Sequence, residues 1–315
     1  MRVFVTGGTG LVGRRLIRAL RKRGDDVVVL SRRSNAWEHV GPDCTIVQGD
    51  PTGAGPWQDR VGECDAVVNL AGAGIFDKRW TPEYRQTIRD SRVKSTTNVV
   101  DAMRKSGGPG KVLVNASAIG YYGPRGDEEL DESSPPGNDF MAKVCQEWES
   151  AAREAEAAGV RVAMIRTGIV HDPAGGALKP LLVPFKLGVG GPIGMALNPK
   201  DWGKHYWSWI HYADLTGILL LALDHRDAAG PINGTAPNPV TNKEFAKAFG
   251  KALGRPAFSP TPAIALRLLL GGVAEVITTG QRVLPRKALA LGYQFKFPTI
   301  DAALTDLCRK KPLAA

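Results

Sequence analysis

The sequence predicts a doubly wound, mostly parallel α/β sheet with a smaller C-terminal α+β lobe. Three observations carry that expectation. Short runs of β-branched residues alternate with helical patterns through the first 166 residues, the spacing of strand–helix–strand units that build a parallel sheet. The first run breaks into Gly7, Gly10 and Gly13, directly before a helical pattern. From about Thr167 the composition turns Pro-, Gly- and aromatic-rich, which marks a second unit over residues 167–315.

Taken in order, Val3 to Val5 reads as the first strand, and Leu11, Val12, Leu16, Ile17 and Leu20 form the apolar face of the helix after it. Between them the first glycine permits the turn, the second lets backbone approach a pyrophosphate, and the third lets helix pack on strand. Residues 1–166 therefore read as a dinucleotide-binding Rossmann domain, with room for later residues to complete its sheet. Asp25 to Leu30 is the second strand and ends in Ser31-Arg32-Arg33. An acid there would bind the ribose 2′-OH of NAD, whereas a small polar residue beside an arginine suits a 2′-phosphate, so NADP is expected over NAD. Cys44 to Gln48 leads to Gly49-Asp50, and Asp65 to Leu70 ends in Ala71-Gly72, small residues that permit close backbone approach. Lys111 to Ser117 and Arg161 to Arg166 are the fifth and sixth strands. The loops beyond these strand ends should surround one crevice.

The second unit holds Trp202, His205, Tyr206, Trp207, Trp209 and His211, read either as lobe packing or as a wall facing an apolar, ring-shaped substrate. Asn233 to Thr241 reads as a strand and turn, Asn242 to Gly250 as a helix, and Gly292 to Pro298 as a strand before a closing helix.

Composition excludes several classes. With 43% hydrophobic and 23% charged residues the chain is an ordinary globular protein. It opens on a strand, so no secretory leader is expected, and the apolar stretch Ala263 to Ile277 contains Arg267, Glu275 and a Gly-Gly pair, which argues against a membrane span. Cys44, Cys64, Cys145 and Cys308 show neither metal-ligand nor disulfide-scaffold spacing, so no metal and a reducing cytoplasm are expected. The net charge of +10 is concentrated on one early helix (Arg14, Arg15, Arg18, Arg21, Lys22, Arg23). Without interleaved aromatics this reads as a solvated face rather than a nucleic-acid surface.

With these residues assembled, the chain resembles the extended short-chain dehydrogenase/reductases, and within them an atypical epimerase-like subfamily with a C-terminal segment of unknown function. The resemblance rests on Thr6 to Gly13, Lys78-Arg-Trp80, Ser91-Arg-Val93, Ser117 to Gly123, Trp148-Glu149, Arg166-Thr-Gly168, Ser208 to His211, Ala236 to Thr241 and Leu284-Pro285. Relative to that pattern, Met195 to His205 looks like an insertion. The resemblance implies an NADP-binding oxidoreductase or epimerase acting on a small molecule, sugar-nucleotide-like by the names of its members.

It also implies a Ser or Thr after the fifth strand that holds the substrate oxygen, a Tyr as general acid/base, and a Lys four residues on. Lys143 fits the lysine, but Asp139 stands where the Tyr should be and Ala118 where the Ser/Thr should be. The candidate catalytic groups are therefore Ser117, one residue early; Tyr121, or its neighbour Tyr122; Asp139, which could equally cap the following helix; and Lys143. His211 is a further proton-transfer candidate, with a structural tie as its alternative. The expected cofactor set is Gly7, Thr9, Gly10, Leu11, Val12 and Gly13 in the turn, Ser31 and Arg32, Asp50, then Leu70, Ala71, Gly72 and Lys143. The missing Tyr and Ser leave a rival expectation, an NADPH-binding sensor or scaffold that has lost turnover.

Overall fold

The computed structural model describes residues 1–194 and 202–309. Seven strands form one parallel sheet: β1 (Arg2–Thr6), β2 (Asp26–Ser31), β3 (Thr45–Gln48), β4 (Ala66–Asn69), β5 (Val112–Ala118), β6 (Arg161–Thr167) and β7 (Gly230–Gly234). Their order is β7-β6-β5-β4-β1-β2-β3, and every neighbouring pair is parallel. The strand order reverses between β1 and β4, which opens a crevice beyond their carboxyl ends.

The main helices are α1 (Leu11–Arg23), α2 (Pro82–Lys105), α3 (Phe140–Arg153), α4 (Tyr212–Asp224), α5 (Asn242–Leu253) and α6 (Ile300–Arg309). Side chains alternate across the sheet as the strand period requires. Val3, Val5, Val27 and Val29 face Leu16, Ile17 and Leu20 of α1 and Leu215, Ile218 and Leu219 of α4. Phe4, Val28, Val67 and Leu113 face Val99 and Met103 of α2 and Ala152 of α3. Each fully buried aliphatic side chain contributes about 1.5–3 kcal/mol, so these two layers hold the strand ends in place.

Several expected elements differ. The seventh strand begins at Gly230 rather than Asn233 and includes Pro231, paired with Met164. It lies at the sheet edge, where a proline's missing N–H costs no ladder bond. No strand forms over residues 292–298. The backbone N–H groups of Lys296 and Phe297 donate instead to the carboxylate of Asp214, at 2.8 and 3.0 Å, and Tyr293 donates to it through its hydroxyl at 3.1 Å. One buried acid thus fastens the tail to α4. The expected insertion falls mainly on Met195 to Asp201, outside the described residues.

Trp207 and Trp209 of the tryptophan-rich segment pack inside a buried cluster rather than facing a crevice. Trp207 and Trp209 are buried with Phe245 and Phe249 of α5 and Ile300 and Leu304 of α6. Trp207 donates its indole N–H to His171 Nε2 at 3.1 Å. Burial, with the nearby His211, pushes His171 down to about 3, and burial takes His205 to about 4. Among the described residues no group of His, Cys, Asp and Glu could hold a metal ion, and no helix is long and apolar enough to cross a membrane.

Two outcomes are expected. Asp214→Ala leaves two backbone donors without their acceptor, while the Tyr293 hydroxyl keeps the carbonyl oxygen of residue 214 at 3.1 Å, and should lower stability by about 2–4 kcal/mol while exposing the tail to limited proteolysis. In the unfolded chain His171 takes up a proton near its ordinary value of 6.5, whereas in the folded chain it stays neutral to about 3. Between those values the unfolded state binds more protons, so stability should fall as pH drops from 6.5. Urea midpoints at pH 7 and 4.5 should show this, with a smaller difference in His171→Gln, which can accept the indole N–H without titrating.

Candidate functional site

The crevice is built around the turn between β1 and α1. Gly7 has φ +65°, and a Cβ there would lie 2.5 Å from the carbonyl oxygen of Leu70. A Cβ on Gly13 would lie 2.4 Å from the oxygen of Gly7, and Gly10 N donates to that same oxygen at 3.0 Å. All three expected glycines therefore sit in one close-packed turn. Gly10 is the N-cap of α1, no side chain caps it, and the first turn carries no acid. The first N–H groups of a 13-residue helix, those of Leu11 and Val12 included, are thus free of side-chain acceptors and suit an anion.

Polar residues at strand ends set the depth of this turn. The Thr6 hydroxyl donates to Asn69 Oδ1 at 2.6 Å, and Asn69 Nδ2 donates to Asn115 Oδ1 at 2.7 Å and to Thr96 Oγ1 at 2.8 Å. The N–H of Ala71 donates back to Thr6 Oγ1 at 3.2 Å, which brings the Leu70–Gly72 loop against Gly7. Sequence reading missed this network. Its signal was present, since Thr6, Asn69 and Asn115 are polar residues near the ends of otherwise apolar strands.

At the end of β2, Ser31 is buried and its Oγ accepts from Arg33 N at 3.1 Å, while Arg32 and Arg33 are exposed. Asp50, beyond β3, accepts from the N–H and hydroxyl of Thr52 at 2.9 and 2.7 Å. Burial works against its charge, but these two donors and the nearby Arg32 hold its carboxyl below the usual range. No acid stands where Ser31 stands.

The catalytic candidates separate into two groups. Ser117 is buried and donates to Glu149 Oε1 at 2.7 Å. Glu149 in turn takes Arg166 side-on, both oxygens at 2.8 Å, and the pair is 3% and 1% exposed. Arg166 also donates to the Tyr122 hydroxyl at 2.9 Å, and that hydroxyl donates to Asn233 Oδ1 at 2.7 Å. Burial pushes Tyr122 up to about 12. Burial disfavours the Arg166 charge, but Glu149 more than offsets it and holds the guanidinium above its ordinary value. Asp139 is the N-cap of α3, accepting from Ala142 N at 3.0 Å. His211 caps α4 through Nδ1, 3.1 Å from Ala213 N, and its Nε2 lies 3.2 Å from Asp306.

Tyr121 and Lys143 form the second group. Tyr121 is half-buried, with the Arg166 guanidinium 3.5 Å above its ring centre, and Lys143 is exposed on the first turn of α3. Among the described residues neither side chain has a hydrogen-bond partner, so both can meet a ligand.

Comparison with known proteins places this arrangement among relatives. The sequence pattern of the NAD dependent epimerase/dehydratase family matches residues 3–233, and a domain of unknown function matches residues 261–307. An Arabidopsis thaliana protein described as an epimerase family protein SDR39U1 homolog, chloroplastic, is 41% identical over 306 residues, 96% of this chain and 86% of that one. The crystal structure of human epimerase family protein SDR39U1 (isoform 2) with NADPH superposes with a TM-score of 0.86 at 36% identity, covering 99% of this chain and 100% of that one. A nucleoside-diphosphate sugar epimerase from Corynebacterium glutamicum superposes at 0.78 and 32% identity, covering 98% of this chain and 58% of that one.

The buried pair sets an expected cost. Glu149→Ala should destabilise the protein by about 3–5 kcal/mol by stranding the Arg166 charge, and Ser117→Ala by about 1 kcal/mol. Urea unfolding of both variants checks the difference.

Proposed function

This chain belongs to the NAD dependent epimerase/dehydratase family, in the SDR39U1-like branch with a C-terminal domain of unknown function, and from that premise we propose that it binds NADP and exchanges hydride with a small-molecule substrate. The observation that carries the reading is the glycine turn, whose backbone leaves no room for a Cβ at Gly7 or Gly13 and aims an uncapped helix end at the crevice. Thr9 to Gly13 would hold the pyrophosphate. Ser31, Arg32 and Arg33 would hold the 2′-phosphate, with Asp50 on the adenine side. Leu70 to Gly72 would back the nicotinamide half, and Lys143 would hold its ribose hydroxyls. In this division of labour residues 1–166 hold the cofactor and residues 167–315 face the substrate.

Bound NADP supplies hydride exchange at the substrate carbon. A proton must move at the attached oxygen in the same reaction. Ser117 gives its hydroxyl proton to Glu149 and Asp139 caps α3 through Oδ1, whereas the Tyr121 hydroxyl has no partner among the described residues; Tyr121 is the residue that gives or takes that proton, and the Arg166 guanidinium fixes the plane of its ring. The unbridged Cys44, Cys64, Cys145 and Cys308 suit a reducing compartment, the cytoplasm in this reading, although the plant relative is chloroplastic.

A second reading is favoured by the engagement of Ser117 and Asp139: an NADPH-responsive sensor or scaffold without turnover. The two readings part on kinetics. Nicotinamide oxidation with some member of a panel of sugar nucleotides, aldehydes and ketones, lost in Tyr121→Phe, supports the enzyme; tight NADPH binding with no turnover across the panel supports the sensor. For the cofactor itself, fluorescence titration should show NADPH bound at least about ten-fold more tightly than NADH. Replacing Arg32 and Arg33 together by Ala should remove most of that difference, since each charge-assisted bond to phosphate is worth on the order of 1.5–3 kcal/mol. Tighter NADH binding by the unaltered protein would reject the NADP assignment.

A further inference from the structure

Helix α2 carries Arg85, Arg89 and Arg92 at i, i+4 and i+7, so all three lie on one helix face. Two have company that explains them. Arg89 is neutralised by Glu147, with Nε 2.5 Å from its carboxylate, and by Asp90 at 3.3 Å. Arg85 lies over the rings of Phe140 and Trp80, at 5.2 and 5.7 Å from their centres.

Arg92 is different. It is half-buried, its guanidinium lies 5.2 Å above the Trp148 ring, and its Nη1 donates to the carbonyl oxygen of Ile88 at 2.9 Å. Among the described residues no carboxylate pairs with it; its ionisable neighbours are the Cys145 thiol and the Tyr84 phenol. Burial accordingly pushes the guanidinium below its ordinary value. Among the described residues the Nε–Nη2 edge has no hydrogen-bond partner.

The position of that edge gives it meaning. A Cβ on Gly72, an exposed residue just beyond β4, would lie 3.3 Å from Arg92 Cζ, and Leu70, two residues earlier, is the one that meets Gly7. On the other side, Cys145 Sγ lies 4.0 Å from the Cβ position of Gly120, in the turn that carries Tyr121. The Arg92 side chain therefore lies against the Leu70–Gly72 loop that backs the glycine turn. A desolvated cation without a counter-charge is costly, and two parallel N–H groups match the two oxygens of a carboxylate.

We propose that Arg92 is the anion-recognition residue of the crevice and that the substrate carries a carboxylate, taken side-on by the Nε–Nη2 edge. The assignment names the substrate class for the hydride-exchange reading and rests on that reading for treating the bound carboxylate as substrate. Isothermal titration of malonate, neutral malonamide and inorganic phosphate into wild type, R92Q and R92K, each with and without saturating NADPH, tests it. Malonate should bind the wild-type protein, about ten-fold or more weakly to R92Q, and with an intermediate loss to R92K, which keeps the charge but not the fork. Malonamide should not bind, and NADPH affinity should stay within about two-fold in both variants. Equal malonate binding by wild type and R92Q, no malonate binding by wild type, or phosphate bound more tightly than malonate at this residue would each overturn the proposal. Should thermal melting show R92Q unfolded, R92K decides. Failure of NADPH to bind wild type would reject the cofactor reading instead, while malonate binding to the NADPH-free proteins still decides Arg92.

Discussion

The buried pair of Arg166 and Glu149 is the constraint on which the rest of the molecule depends. A guanidinium and a carboxylate this far from water are stable only when their remaining hydrogen-bonding capacity is met, and here it is met from several elements at once. Ser117 comes from β5, Tyr122 from the turn after it, Glu149 from α3 and Arg166 from β6. Tyr122 extends the chain of bonds to Asn233 on β7, whose amide donates to the carbonyl of Leu284 in the C-terminal segment at 2.9 Å. Glu132 adds a second link, accepting from the N–H groups of Asn233 and Lys287 at 2.9 and 3.2 Å. One ion pair thus joins the middle of the sheet, its edge strand and the tail.

That constraint shapes the chemistry open to the crevice. A serine hydroxyl and a tyrosine hydroxyl, the two groups hydride-transfer sites of this family most need, are both present at the end of β5, but Ser117 and Tyr122 are consumed in stabilising a buried charge. Asp139, at the position of the usual tyrosine, starts α3. The crevice keeps its backbone cradle, an exposed lysine and, at Tyr121, a phenol with no hydrogen-bond partner among the described residues. Binding is therefore over-determined by the fold, whereas proton transfer rests on few groups.

The sequence makes the opening strand–turn–helix unit legible because its signals are local. Strand period, glycine spacing and the apolar face of α1 all lie within short windows, and the Asp139 cap is legible in the same way. The buried network is not local. Glu149 lies 32 residues from Ser117 and Asn233 lies 111 from Tyr122, so no window holds both partners. Trp148-Glu149 and Arg166-Thr-Gly168 stand out as marks of resemblance, yet nothing in them tells that the acid and the arginine meet. The seventh strand is hidden by Gly230 and Pro231, residues that read as a turn unless the edge position is known. Trp207 and Trp209 are ambiguous for the opposite reason: an aromatic cluster looks alike whether it packs a lobe or lines a wall, and only the partners Phe245, Phe249 and His171 settle that it packs.

The central claim is that the backbone turn at Gly7, Gly10 and Gly13, backed by the Leu70–Gly72 loop, is where this chain holds NADP. Hydrogen–deuterium exchange with and without NADPH tests it most directly, because it reads backbone N–H groups residue by residue. The account predicts new protection at residues 8–13, 31–33 and 70–74, with little change in the already buried strands β5 and β6. Protection confined to other segments, or none at saturating NADPH, would contradict it.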